Sequence, residues 1–156
     1  MNECMEKATF AAGCFWHVEE VFYKTNGVKS TAVGYTGGHT DNPTYEDVCT
    51  DKTGHAEAIQ VEFDPTEISY SDLVKVFFEN HNPTTPNRQG PDIGIQYRSA
   101  IFYHDAEQEQ DAKEVKEKLN SSAQKTFGND IVTEIQSAST FYRAEEYHQK
   151  YFEKNY

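Results

Sequence analysis

Thr9-Phe10-Ala11-Ala12-Gly13-Cys14-Phe15-Trp16 joins two periodicities and sets a thiol at the join, so the reading of the fold begins there. Residues 8–12 are mostly small and apolar and read as a strand. Gly13 permits a tight turn, after which Phe15, Val18, Glu19 and Phe22 recur at helical spacing as far as Tyr23. Cys14 is therefore expected at or just before the first turn of a helix, where unpaired N–H groups favour negative charge. On that ground its pKa is expected to fall toward neutrality, making Cys14 a nucleophile. Phe15 and Trp16 offer an apolar wall for a small substrate group. The plainer alternative is an inert, buried core cysteine.

Outward from this junction, residues 28–35 alternate as a strand and run into a loop, Thr36 to Tyr45, punctuated by Gly, Asn and Pro. Residues 56–63 alternate again. Ser69, with Asp72 three residues on, opens a helix that buries Leu73, Val76 and Phe77 and ends near His81-Asn82-Pro83. A polar loop spans Thr84 to Gly94. Ile95 to Tyr103 reads as a strand, and Asp105 with Gln108 opens a charged outer helix running to about Leu119. Ile131 to Ile135 is a further strand, and Ala144 to Phe152 a closing helix. Strands and helices mix without strict βαβ alternation, which implies an α+β fold, and no linker or repeat divides residues 1–156 into more than one domain.

At 156 residues such a domain buries roughly two thirds of its unfolded surface. Ten Phe and ten Tyr predict an aromatic-rich core. Fourteen Lys+Arg against 26 Asp+Glu give a formal charge of −12, which argues against nucleic acid and anionic membrane as partners. Residues 1–7 lack the basic and apolar regions expected of a secretory signal, no apolar run approaches membrane length, and three cysteines suit a reducing compartment. A cytoplasmic monomer is the expectation.

Alternation places Glu57 on one face with Ile59, Val61 and Phe63. If that face is the core, desolvation raises the carboxyl pKa and leaves a proton donor near neutral pH; if Glu57 stands at the strand's exposed end, it is merely solvated. Tyr97 would share a face with Ile95 and Ile101, its hydroxyl needing a partner. Tyr45 closes the Gly-rich loop, and Asp92 sits in a Gly-Pro-Asp-Ile-Gly loop suited to holding a functional side chain. His55 or His81 paired with Cys14 would instead make a cysteine hydrolase, although no spacing supports the pairing. A redox-sensing module whose thiol reports oxidation is the non-enzymatic alternative. No Cys or His spacing suggests a metal.

Gly13-Cys14-Phe15-Trp16, Gly34-Tyr35-Thr36-Gly37-Gly38 with Asn42-Pro43-Thr44-Tyr45, and Gly54-His55-Ala56-Glu57-Ala58 occur in order. They continue in Gln89-Gly90-Pro91-Asp92-Ile93-Gly94, Gln96-Tyr97-Arg98-Ser99-Ala100 and Ala144-Glu145-Glu146-Tyr147-His148-Gln149-Lys150-Tyr151. Over nearly its whole length the chain thereby resembles the A-type peptide methionine sulfoxide reductases. The resemblance implies a two-layer α+β sandwich with a ferredoxin-like mixed-sheet core. It implies reduction of the S epimer of methionine sulfoxide, free or in proteins, through a sulfenic acid on Cys14.

It also implies Glu57 as proton donor, Tyr45 and Tyr97 as hydrogen-bond donors to the sulfoxide oxygen, Phe15 and Trp16 around the methyl group, and Asp92 on the polar part of the substrate. Thioredoxin or another external thiol is the implied reductant, with no metal, flavin or nicotinamide. Position 17 is His where the family commonly has Gly, which would put an imidazole at the rim of the site. Many relatives carry a resolving cysteine beyond the Tyr-His-Gln segment, whereas no cysteine follows Cys49 here. Cys49 and Cys4 are the candidate resolving thiols, and direct reduction by an external thiol is the third route.

Overall fold

The computed structural model describes residues 5–155, with the side chains of residues 152 and 155 outside that description. The elements run β1 (Glu6–Ala12), α1 (Phe15–Tyr23), β2 (Val28–Thr36), α2 (Tyr45–Cys49), β3 (Ala56–Phe63), α3 (Tyr70–Glu79), β4 (Arg88–Gln89), β5 (Asp92–Ile93), β6 (Ser99–Tyr103), α4 (Ala106–Phe127), β7 (Glu134–Ser137), β8 (Tyr142–Arg143) and α5 (Tyr151–Asn155). Short 3-10 turns occupy Ile95–Tyr97 and Glu146–His148.

The main sheet has the order β7-β6-β1-β3-β2-β8, and only the β6–β7 pair is parallel. Within it, β1-α1-β2-β3-α3-β6 is a split βαβ arrangement, with β1 between β6 and β3. The fold is therefore α+β with a ferredoxin-like core.

Strand alternation makes the two sheet faces chemically different. One face presents Ala8, Phe10, Ile59, Val61, Phe63 and Ile101 to α1, α3 and α4, forming the main core. Phe10 is its centre, stacked on Phe22 and on Phe77 with ring centroids 5.2 Å apart in each case; truncating such a ring typically costs about 3–5 kcal/mol. The opposite face is lined by Ala11, Ala56, Ala58 and Ala100 with Phe102, small enough for the coil around Ala138 and Phe141 to lie close against it. No helix among the described residues is long and apolar enough to cross a membrane.

Four expectations change. The 95–103 strand begins only at Ser99. Gly94, at φ 146°, turns the chain, Asp51 Oδ1 takes the Ile95 amide at 3.0 Å, and Tyr97 N–H donates to Gly94 O, so Tyr97 leaves the sheet. The charged helix passes Leu119 to Phe127 because Ala123 extends its apolar stripe, and Gly128, at φ 82°, ends it. The seventh strand starts three residues late, since the amides of Ile131 and Val132 are taken by Asn120 Oδ1 and Pro83 O. The closing helix is broken at Lys150, which adopts φ 51°. Two elements add to this: α2, which follows the Thr36–Tyr45 loop and is opened by a complete Thr44–Asp47 capping box, and the β4–β5 hairpin inside the Thr84–Gly94 loop.

Candidate active site

Cys14 is the N-cap of α1, with φ −60° and ψ 123°, and Gly13 turns the chain out of β1 at φ 88°. A Cβ on Gly13 would stand 2.7 Å from Cβ and Cγ of Gln89, so the Gly13–Cys14 turn and the β4–β5 hairpin touch backbone to side chain. Gln89 is itself pinned: its amide accepts from Asn82 N–H and donates to Asn82 O, both at 2.8 Å. Its cross-strand partner is Asp92, which places that carboxylate close enough for its charge to act on Cys14, Glu57 and Tyr97.

Glu57 lies on the helix-covered face of β3, opposite Tyr35 of β2, and is 1% exposed. One carboxyl oxygen accepts the Phe15 amide at 3.2 Å; the other, Oε2, is buried without a partner. Burial pushes the carboxyl up to about 8, the Phe15 amide opposing and the Asp92 charge reinforcing. Glu57 is thus a neutral acid at pH 7 with an uncommitted oxygen.

The expected lowering of the Cys14 pKa is not found. Burial pushes the thiol up to about 11; the Trp16 and His17 amides at the helix start pull the other way, but the Glu57 and Asp92 carboxylates add to the rise. The helix terminus acts as expected and is outweighed by desolvation.

Tyr45 opens α2, its amide donating to Glu145 Oε2 at 2.9 Å. Burial and a hydrogen bond to Cys49 raise its phenol, and burial with the charges of Glu57 and Cys49 pushes Tyr97 up to about 12, so both stay O–H donors. Phe15 is buried against Tyr35 and His148, and Trp16 stacks on Tyr151 with ring centroids 3.8 Å apart. The structure thus brings Cys14, Glu57, Tyr45, Tyr97 and Asp92 into one electrostatic neighbourhood, with Cys49 at its edge.

Cys49 is exposed, and Cys4 lies outside the described residues. His17 is exposed and sits over a hollow lined by Val21, Phe22, Phe77 and Asn80. His55 and His81 are spoken for: the first by Gly38 N–H and Thr40 O, the second by Phe77 O and Ser99 Oγ. Neither completes a cysteine–histidine pair. Among the described residues no group of His, Cys, Asp and Glu side chains is arranged to hold a metal ion.

Sequence reasoning gave no role to Glu145, His148 or Gln149, which tie the C-terminal segment into the site. Gln149 bridges Val33 N–H and O, and Glu145 accepts from Tyr35 and Tyr45. Their only sequence signal was membership of the Ala144–Tyr151 motif.

A half-buried thiol beside a buried acid that burial pushes toward its neutral form, on a split βαβ sheet, is the site of a thiol oxidoreductase. Residues 6–156 match the family model described as peptide methionine sulfoxide reductase. A peptide methionine sulfoxide reductase from Methanothermobacter thermautotrophicus is 61% identical over 96% of this chain and 88% of its own length. The solved methionine sulfoxide reductase A of Corynebacterium diphtheriae superposes with a TM-score of 0.93 at 38% identity, covering 98% of this chain and 76% of that one. Yeast Mxr1 in complex with Trx2 superposes at 0.65 and 27% identity, covering 94% and 84%. The chain belongs to the peptide methionine sulfoxide reductase family. It is a thiol-dependent enzyme that reduces the S epimer of methionine sulfoxide to methionine.

Proposed function

We propose that Cys14 is the nucleophile and Glu57 the acid of this reduction, and the observation that carries the reading is the buried, unpartnered Oε2 of a Glu57 held neutral beside Cys14. Sulfoxide oxygen is a poor leaving group. Protonation by Glu57, with the Tyr45 and Tyr97 hydroxyls donating to the same oxygen, stabilises the charge that develops and makes the sulfur electrophilic. Cys14 sulfur attacks as its own proton passes to the Glu57 carboxylate. The attack makes a transient bond from Cys14 sulfur to the substrate sulfur as the S–O bond breaks; the oxygen then bonds to Cys14 sulfur as S–OH while the S–S bond breaks and its electron pair leaves with methionine. Methionine sulfur gains two electrons and Cys14 sulfur loses two, with no net proton change. A resting thiol suits this route, because the proton that Cys14 sheds restores the acid. Phe15 and Trp16 enclose the methyl group and Asp92 orients the polar part of the substrate.

The sulfenic acid is then returned to thiol by an external dithiol, which becomes a disulfide as one water leaves; thioredoxin is the reductant that the yeast complex supports. Exposed Cys49 is the alternative resolving thiol. One domain acting as a cytoplasmic monomer agrees with the charge of −12 and the free thiols.

The test is a single turnover without added reductant. About one equivalent of methionine per enzyme is expected, with a dimedone adduct on Cys14, none from Cys14→Ser, and a rate about 10²–10⁴ lower in Glu57→Gln. Full activity in Cys14→Ser ends the proposal, and undiminished rate in Glu57→Gln ends the role of the acid. Multiple turnovers by Cys49→Ser with thioredoxin separate direct reduction from resolution by Cys49.

A further inference from the structure

We propose that His148 is a positioning residue for substrate binding, holding the Trp16 indole through its N–H in the pose that receives the methyl group of the sulfoxide. The inference rests on the reading above that Trp16 lines the substrate. Trp16 Nε1–H donates to His148 Nδ1 at 3.0 Å. An Nδ1 that accepts leaves the ring proton on Nε2, and that nitrogen is buried, without a partner, in a residue only 1% exposed. Orphaned buried donors are rare where a side chain serves packing alone.

The ring keeps its orphan because its position is fixed all round. It packs against Tyr147, Tyr45, Phe15 and Trp16 with centroid distances of 4.1, 4.5, 5.1 and 5.7 Å. Its chain neighbours are anchored on both sides, Glu145 to Tyr35 and Tyr45, Gln149 to Val33. Burial lowers the imidazole pKa, against the Glu145 charge, which keeps Nδ1 an acceptor. Tyr151, stacked at 3.8 Å and 8° on the indole, fixes its plane, and His148 fixes its rotation within that plane. A wall set in both respects before substrate arrives contributes binding without rearrangement.

Trp16 is the only tryptophan, so a ¹⁵N-labelled sample shows a single indole N–H resonance. In the native protein that resonance is expected downfield and protected from exchange, and ¹⁵N shifts of His148 should report a neutral ring protonated at Nε2. His148→Phe keeps a ring but no acceptor. It should move the resonance, remove its protection, and raise KM about tenfold with kcat nearly unchanged. His148→Gln, whose Oε1 can accept, should recover most of both. A ring protonated at Nδ1 in the native protein overturns the proposal without any variant. An unmoved resonance, or an unmoved KM, in His148→Phe does the same. Trp16→Ala separates the failures. Unchanged KM there removes Trp16 from substrate binding and the underlying reading with it, whereas raised KM there with native KM in His148→Phe overturns the tie alone.

Discussion

Glu57 and Cys14 share surroundings that hold both in their neutral forms, and this sets how the proposed chemistry responds to pH. The reactive state carries both protons. Burial lifts the Glu57 carboxyl from 4.5 to about 8, so the acid is present below that value and lost as pH rises through it. Single-turnover rates are therefore expected to be flat between pH 6 and 7.5 and to fall about tenfold per unit above 8. In Glu57→Gln the lower residual rate should lack that limb. A native rate that climbs toward pH 8 would mean that a pre-ionised Cys14 reacts, the behaviour its helix-terminal position suggests. The position of Cys14 and the face of Glu57 were legible because local spacing fixes both. The direction of the Cys14 shift was not, because the opposing terms come from burial and from β3 and β5, distant in sequence.

Among the elements, the C-terminal segment departs most from its sequence pattern. Residues 144–152 have helical spacing, yet the side chains of Glu145, His148, Gln149 and Lys150 are taken by β2 and α1, and Lys150 breaks the run in a left-handed conformation. Glu19, 2% exposed on α1, is the clamp. It accepts the Lys150 amide at 2.5 Å and the Thr31 hydroxyl at 2.8 Å, with Lys150 Nζ 3.7 Å away. A carboxylate among the apolar positions of a helix signals such a partner, but spacing alone does not name it. Glu19→Ala leaves a hydroxyl and an amide unpaired and is expected to cost about 1–3 kcal/mol in urea unfolding. Tyr151 follows Lys150 and stacks on Trp16, so the same variant should change Trp16 fluorescence in the folded protein. A native emission spectrum in Glu19→Ala would show that the clamp does not reach the indole.

At the scale of the whole molecule, the α+β class was legible from the order of periodicities, while the strand order depends on long-range pairing that no local pattern encodes. The same long-range packing buries two groups with opposite consequences for stability. His81, bonded to Phe77 O and Ser99 Oγ between α3 and β6, is pushed by burial from 6.5 down to about 4. The unfolded chain binds its proton first, so the His81 contribution is complete above pH 6.5 and is lost as pH falls toward 4. Glu57 works in reverse: the folded state keeps its proton to about 8, so its contribution is complete below 4.5 and is lost as pH rises through 8. Each acts with a slope of about 1.4 kcal/mol per pH unit. Between 4.5 and 6.5 the slopes cancel, and from 6.5 to 8 only that of Glu57 remains. For these two groups the native protein should show a plateau from pH 4.5 to 6.5, then lose about 2 kcal/mol by pH 8. Glu57→Gln should abolish the alkaline decline, and His81→Gln should start it near 4.5 instead of 6.5. Denaturant midpoints across this range check both, and a decline in Glu57→Gln as steep as in the native protein would place its origin in other groups.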